Sequence, residues 1–484
     1  MQSKTRIRAS AQILAHAGVF CGLVALQVQG LLANEPPPAA PKAESVTSNQ
    51  KDGPPAADSG ESRPLKDLPI GPFRLDIGGS LRLRFEHQRN FSAQRYADTR
   101  KDTYDEDGFL LQRARLNLTL RLAEGARVYT EIQDSRAYDS DFREEDFFAN
   151  NPYWNDADLR QMYVEWLRIG DSPWGIKIGR QTLFYGDNRI WGPGDWGNVG
   201  RYTWDAAKVI LDLPFAETHF LAANRVRYEP HSFDPRDGRL DAYGAYAMMK
   251  NLPMKLDFFW VGKHTDPDLV VNAQGDRLDL DTHTLGGYVT GKVKESWDYA
   301  GTLAHTSGNR NKDNVDAWGA NARLGHTFDV AWKPRIGGEF SYGSGDRRPG
   351  DGDYETFDGV FGAVDILYYG RMNLFSWMNI QDYQVSLSFK PTRKLTLFAD
   401  WHLFRLDSSR DAWYYVNGQP QRQDPTGRSG STVGQELDLM LSHKVSDHCQ
   451  VLAGYSHFFP GPFVKNTGPS PDANWFFFQT EFSF

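Results

Sequence analysis

From Phe73 to the terminal Phe484 the chain alternates apolar and polar residues with a period of two, in segment after segment. In FRLDIGGSLRLRFE one face carries Phe73, Leu75, Ile77, Leu81, Leu83 and Phe85, and the other Arg74, Asp76, Ser80, Arg82, Arg84 and Glu86. In LLQRARLNLTLRL, Leu116, Leu118, Leu120 and Leu122 alternate with Arg115, Asn117, Thr119 and Arg121. A period of two is that of a β-strand and not of a helix. Alternation alone suits both a soluble sheet with one wet face and a strand with lipid on one side and water on the other. The connections discriminate. Strands are expected at 73–86, 109–122, 126–136, 159–169, 175–182, 207–213, 217–228, 240–249, 254–263, 281–291, 297–307, 316–328, 333–342, 380–390, 394–406, 434–444, 449–459 and 474–484. Between them, tight links (AEG, GDSPW, PFAE, KNLP, VKES, DVAWK, KPTR, VSDH) alternate with mostly long ones. That asymmetry and an even strand number describe an all-β fold, a transmembrane up-and-down antiparallel β-barrel of 18 strands with short periplasmic turns and long outer loops. A β-sandwich has no reason to produce it.

Composition agrees with this reading. A bundle of membrane helices is excluded, since each would need about 20 consecutive apolar residues, and only the run from Ile13 to Val28 approaches that. Lys4, Arg6 and Arg8 precede this run and Ala33 follows it. This is the order of a secretory signal peptide, assigned to residues 1–33. Residues 34–69, rich in proline and poor in apolar side chains, read as a disordered periplasmic linker, a passive spacer or a tether. Residues 70–484 form the barrel. Once the signal is removed Cys449 is the only cysteine, so no intramolecular disulfide is available to an exported chain. Aromatic residues make up 13% of a chain that is otherwise hydrophilic, which suits a fold with lipid outside and water inside.

Four segments resemble the alginate-export family of outer-membrane porins: WGIKIGRQTLFYGDNRIWG (174–192), YYGRMNLFSWMNIQDYQVSLSFKPTRKLTLFADWHLFRL (368–406), GQELDLMLSHKV (434–445) and LAGYSHFFPGPFVKNTGPSPDANWFFFQTEFSF (452–484). The resemblance implies an 18-stranded monomeric barrel that lets an anionic polysaccharide, alginate in the founding members, leave the periplasm through an arginine-lined constriction. Phe476, Phe478, Phe482 and Phe484 on one face of the last segment resemble the signal read by the barrel-assembly machinery. Outer-membrane lipid and lipopolysaccharide are expected partners, with periplasmic export components as a further class; nucleic acid is not.

The polar faces supply the expected lumen. Arg82, Arg84, Arg113 and Arg115 lie on the first two strands, which should be neighbours and would form a ladder of guanidinium groups. Arg323 and Arg335 occupy polar faces further on, and Arg225 and Arg227 are candidates to join them. Permanently charged, bidentate donors suit repeated uronate carboxylates. Glu436 and Asp438 point to the same side, as do Asp76, Glu86, Glu131, Glu165, Asp212, Asp257, Glu339, Asp400 and Glu481. The alternative is therefore that arginines and acids pair to stiffen a water-filled lumen. By the resemblance, Arg160 and Arg180 match basic positions at the family's constriction. Strict alternation sends both toward lipid, and a bulge at Gly179 or an early strand end is expected to turn them inward. Strand 17 carries Gln450, Gly454 and Ser456 where the family has further basic residues.

The loops 134–148, 187–205 and 346–358 are rich in acids and aromatics and long enough to fold over the mouth. Their acidic spacing matches no calcium loop, so a solvated surface is expected and no metal or cofactor is assigned. Trp191, Trp196 and Trp204 either stack on sugar rings or belong to an interfacial girdle. Selective passage of an anionic poly- or oligosaccharide is the leading reading, and a general or small-anion diffusion porin the alternative. An outer-membrane barrel enzyme would draw on His283, His305, His402, His443 or His457, but no nucleophile motif accompanies them.

Overall fold

The computed structural model describes residues 65–97, 106–123, 125–147, 150–271, 277–362 and 368–484. The expected signal segment and nearly all of the linker lie outside the described residues. All eighteen expected strands are present: β1 (Phe73–Arg89), β2 (Glu106–Ala123), β3 (Ala126–Tyr138), β4 (Asn155–Trp166), β5 (Trp174–Gln181), β6 (Trp204–Asp212), β7 (Ala216–Val226), β8 (Arg236–Met249), β9 (Lys255–Val271), β10 (Arg277–Val293), β11 (Trp297–Arg310), β12 (Asp313–Thr327), β13 (Arg335–Gly343), β14 (Ile380–Phe389), β15 (Leu395–Arg405), β16 (Thr432–Ser446), β17 (Cys449–Pro460) and β18 (Ala473–Ser483). Each pairs antiparallel with the next. The sheet closes because β1 pairs with both β2 and β18, Arg84 lying opposite Leu111 on one side and Gln479 on the other. Closure leaves no free edge, so backbone groups at membrane depth find partners within the wall.

The faces are inverted relative to a soluble protein. Along β1, Arg82 and Arg84 are each only 2% exposed, whereas Leu81 and Phe85 on either side of them are 39% and 41% exposed. Leu116, Ile178, Leu303 and Leu324 continue the exposed apolar belt on other strands. Trp166, Trp174, Trp297 and Trp332 are exposed at the short-turn end, where an amphipathic ring is most stable. No helix of the described residues is long and apolar enough to cross a membrane, and the strands do the crossing.

The boundary between linker and barrel moves. Leu68–Ile70 pairs with the start of β1, and the Ile77 amide donates to the Leu65 carbonyl, so the residues just before Phe73 belong to the sheet. The larger departure is in the loops. The connections β5–β6 and β13–β14 enter the lumen, joined where Trp191 bridges Phe361. Trp191 and Trp204 are 1% and 0% exposed and meet Phe361 in tilted and edge-on contacts, while Trp196 packs on Trp475 and Phe477. These three tryptophans are thus neither a girdle nor an open sugar platform; they form the core of an interior plug. Gly192 is buried with them.

The topology gives a direct test. With Cys449 replaced by serine, a cysteine placed at Gly350 or Asn417 should react with an impermeant thiol reagent on intact cells. One at Pro253 or Thr392 should react only after the outer membrane is opened, although all four lie in connections at the protein surface. A cysteine at Gly192 should stay protected in both conditions. Labelling of Pro253 and protection of Gly350 would mean the opposite orientation.

Candidate functional site

β1, β2 and β4 present one wall of arginines to the lumen, and the turn Asp195–Val199 rests on it. Arg82 donates from Nη1 to the carbonyls of Asp195 and Trp196 at 3.2 and 3.0 Å, and from Nη2 to that of Gly197 at 3.0 Å. Arg84 donates to the Trp196 carbonyl at 2.8 Å and to Glu86 at 2.7 Å, its guanidinium 4.3 Å from the Trp196 ring centre. Arg113 donates to the carbonyls of Asp195 and Gly197 at 2.7 and 3.2 Å. Arg115 and Arg160 meet on one atom, donating to Asp195 Oδ1 at 2.8 and 2.7 Å. Arg160 also reaches the Val199 carbonyl at 3.0 Å and lies 3.4 Å from Glu131. Burial alone would raise the Asp195 carboxyl, but Arg115, Arg160 and Arg113 hold it well below the usual carboxylate range. Asn198 secures the turn from the other side, its amide donating to the carbonyls of Gln112, Arg136 and Tyr153.

The ladder expected on β1 and β2 therefore exists and faces inward, with Arg82 opposite Arg113. Its principal partners are loop carbonyls and Asp195 rather than the strand acids. Arg160 reaches the lumen through a bulge, but not the one expected. Glu131 faces Gln161 and Ile132 faces Leu159, so Arg160 is the extra residue and turns inward with Gln161. Gly179 stays in register opposite Tyr163, and Arg180 stays opposite the exposed Met162. Arg180 is thus corrected to the outer face. It pairs there with Asp205 at 2.8 Å, next to the end of the short strand β5, with the Phe233 ring 5.7 Å away. Pairing beside a strand end avoids the roughly 2–4 kcal/mol cost of an arginine at the bilayer midplane.

The loop Arg227–Pro235 covers the wall above that short strand. Asp234 accepts from the Glu229 amide at 2.7 Å and from Asn155 at 2.9 Å, and its own amide donates to Asp158 at 2.6 Å. Burial and the neighbouring Asp158 carboxylate push Asp234 up to about 7. A carboxyl raised above its unfolded value stabilises docking below the unfolded value, near 3.8, and loses that contribution as pH rises through about 7. Hydrogen exchange in residues 227–235 should therefore accelerate, beyond the intrinsic pH effect, between about pH 4 and 7, and Asp234→Asn should remove that extra acceleration. An unchanged profile in the variant would assign the transition to another group.

Further round the barrel from the arginines, β14, β15 and β16 present an acidic wall. Asp382, Glu436 and Asp438 are buried, and Asp400 faces Asp438 across the strands. The β13–β14 loop docks on it. Arg371 donates to Asp400 at 3.0 Å, the Met372 amide donates to Glu436 at 2.9 Å, and Ser456 donates to Asp438 at 2.5 Å. Gly370 has φ +81, and a Cβ there would sit 2.7 Å from the Glu436 carboxyl, so this turn requires glycine. His402 bonds Asp382 at 3.0 Å.

A third contact joins the two loops. Arg189 forms an ion pair with Glu339 of β13, and donates to Asp187 at 3.0 Å, Ser341 at 3.2 Å and Tyr369 at 3.1 Å. Its guanidinium also lies 4.1 Å from the Tyr368 ring centre. The remaining sequence candidates separate. Arg335 is bidentate to Asp298 at 2.8 and 2.6 Å. Arg225 lies 5.2 Å from the Tyr202 ring and within 3.5 Å of the Arg201 carbonyl, and Arg227 pairs with Glu229. Arg323 lies on the lumen face of β12 opposite Glu339, which Arg189 occupies; among the described residues Arg323 has no hydrogen bond or ion pair. Asp195, Arg189 and Arg371 carry only a faint sequence signal, since each is a charged residue in a loop dense in glycine and aromatics, which reads equally as a solvated surface.

A family model for alginate export matches residues 73–478. A search of curated proteins gives no match. Among solved structures, OpdQ of Pseudomonas aeruginosa is similar at 12% identity, TM-score 0.54, over 84% of this chain and 97% of its own. OccAB2 of Acinetobacter baumannii is similar at 10% identity, TM-score 0.55, over 84% and 98%. OccK2 (OpdF) of P. aeruginosa, solved in complex with glucuronate, is similar at 10% identity, TM-score 0.54, over 84% and 98%. At these identities the likeness is one of fold, the barrel of an outer-membrane channel.

Proposed function

We propose, from the premise that the chain belongs to the alginate export family, that this outer-membrane channel passes an anionic poly- or oligosaccharide selectively and passively. The observation that carries the reading is the wall of Arg82, Arg113, Arg115 and Arg160 around the lumenal turn, with Arg323, which has no hydrogen bond or ion pair among the described residues, further along the lumen. Permanent cations that bind carboxylates bidentately, repeated along a passage, hold a polyuronate weakly at each step and release it to the next. We further assign residues 1–33 to an export signal and 34–69 to a periplasmic linker, with assembly by the barrel machinery into a lipopolysaccharide-bearing membrane as a monomer.

A second reading is a small-anion porin. Two interior loops and the acidic wall on β14–β16 favour it, because they narrow the lumen and offset part of its positive charge. It also gains support from the similar fold of OccK2, solved in complex with glucuronate.

Planar-bilayer recording of the purified protein separates these readings. The polyuronate reading expects anion preference and block by oligogalacturonate at lower concentration than by a neutral oligosaccharide. Arg323→Gln should reduce the anion preference in a graded way without disturbing the loops, since its charge acts through water and is screened within about 8–10 Å. Cation preference in the unmodified channel would defeat both anionic readings. Block by monomeric uronate but not by oligomers would favour the small-anion porin.

A further inference from the structure

Asp195 is the loop residue on which the arginine wall converges, and its environment is asymmetric. The side chains of Arg115 and Arg160 are 5% and 3% exposed, whereas that of Asp195 is 21% exposed. The cations are fixed in the wall and the carboxylate approaches them from the solvent side. Both guanidinium groups donate to the same oxygen, Oδ1. The turn itself is held independently, by Arg82 and Arg113 on backbone carbonyls, by Asn198 on three more, and by Gln133 and Ser135 on the carbonyls of Val199 and Asn198. The Asp195 side chain can therefore swing away without releasing the backbone of its turn.

We propose that Asp195 is a built-in counter-ion that stands in the place of a substrate carboxylate, and that a uronate unit displaces it to bind Arg115 and Arg160. This rests on the reading of the channel as one for uronate-containing saccharides. The exchange conserves charge, because one carboxylate leaves the guanidinium pair as another enters, so it escapes the cost of stranding buried cations. A tethered carboxylate competes with an effective concentration in the millimolar range. A single uronate is a weak competitor against it. A chain of uronates returns a fresh carboxylate each time one dissociates and competes well. The site thus discriminates by length as well as by charge, admitting an oligomer where a monomer at the same carboxylate concentration is held off by the protein's own acid.

The test uses the full chain in planar bilayers, with trigalacturonate, galacturonate and maltotriose as probes. Asp195→Asn keeps the shape but removes the competitor, and should lower the half-blocking concentration of trigalacturonate about fivefold or more, with maltotriose unaffected. In the unmodified protein, trigalacturonate should block at a lower carboxylate concentration than galacturonate, and this comparison decides the matter if the variant does not assemble. Unchanged or weaker block in Asp195→Asn, or equal block by trimer and monomer per carboxylate, in a channel that is otherwise anion-selective, would overturn the counter-ion role and leave the transport reading intact. Loss of anion preference in the unmodified channel would instead overturn the transport reading.

Discussion

Replacing Arg115 and Arg160 together by methionine is expected to release the interior turn and raise single-channel conductance sharply, with either single substitution giving much less than half the effect. The two side chains share Asp195 Oδ1 as acceptor, so either alone still neutralises it. Removing both leaves Asp195 facing a lumen wall with Glu131 now short of its own partner. Breaking a buried ion pair by deleting one side costs about 3–5 kcal/mol when the remaining charge stays buried. Here the charge need not stay buried, because a loop can move to water while a strand cannot. The double variant also loses the Arg160 bond to the Val199 carbonyl and leaves Asp195 and Glu131 both without that cation, so the cost is met by undocking and appears as pore opening instead of barrel unfolding; a swing of the Asp195 side chain with both arginines in place carries no such loss. Residues sharing one acceptor couple strongly, so the double-mutant cycle should show a large interaction energy. Heat-modifiable gel migration should stay that of the folded barrel, since sheet closure through β1 and β18 does not involve these side chains. Additive, small conductance changes would mean that the turn is held by its backbone contacts alone.

Arg189→Met should have a comparable effect elsewhere in the same loop. Arg189 is fully buried, pairs with Glu339 and Asp187, and donates to Ser341 and Tyr369, so it ties the β5–β6 loop both to the wall and to the β13–β14 loop. Methionine fills a similar volume but leaves Glu339, which is 8% exposed, without its cation. By the same estimate of about 3–5 kcal/mol, the contact between the loops should fail and protease cleavage in residues 182–203 should rise strongly in detergent. A partial rescue by Glu339→Gln in the same chain is expected, because the stranded charge and not the lost packing is the larger cost. No rescue would place the effect in the ring contacts with Tyr368 and Tyr369.

These expectations differ from those the sequence alone suggests. If the arginines of β1 and β2 merely lined a watery channel, neutralising Arg113 and Arg115 would give graded losses of selectivity through one screened field. Because both grip the turn at Asp195, their loss acts on loop position first. Graded behaviour is expected instead at Arg323, which has no such partner among the described residues.

Alternation along the chain dictates the barrel. Strand number, strand order, turn asymmetry and the inward direction of Arg82, Arg84, Arg113 and Arg115 all follow from a period of two, because a strand has two faces and only one can meet lipid. Glu436 and Asp438 were legible in the same way. Tertiary structure decided whatever depended on breaking that period or on contacts between distant segments. Arg160 turned inward through a bulge between Glu131 and Ile132 that no glycine marks, while Arg180, beside a glycine that invited one, kept its register and found Asp205. Trp191, Trp196 and the charges Arg189, Asp195 and Arg371 lie in segments with no period at all. Their placement rests on two loops filling a lumen that the closed sheet creates, and local sequence cannot specify a cavity whose walls come from strands more than a hundred residues away.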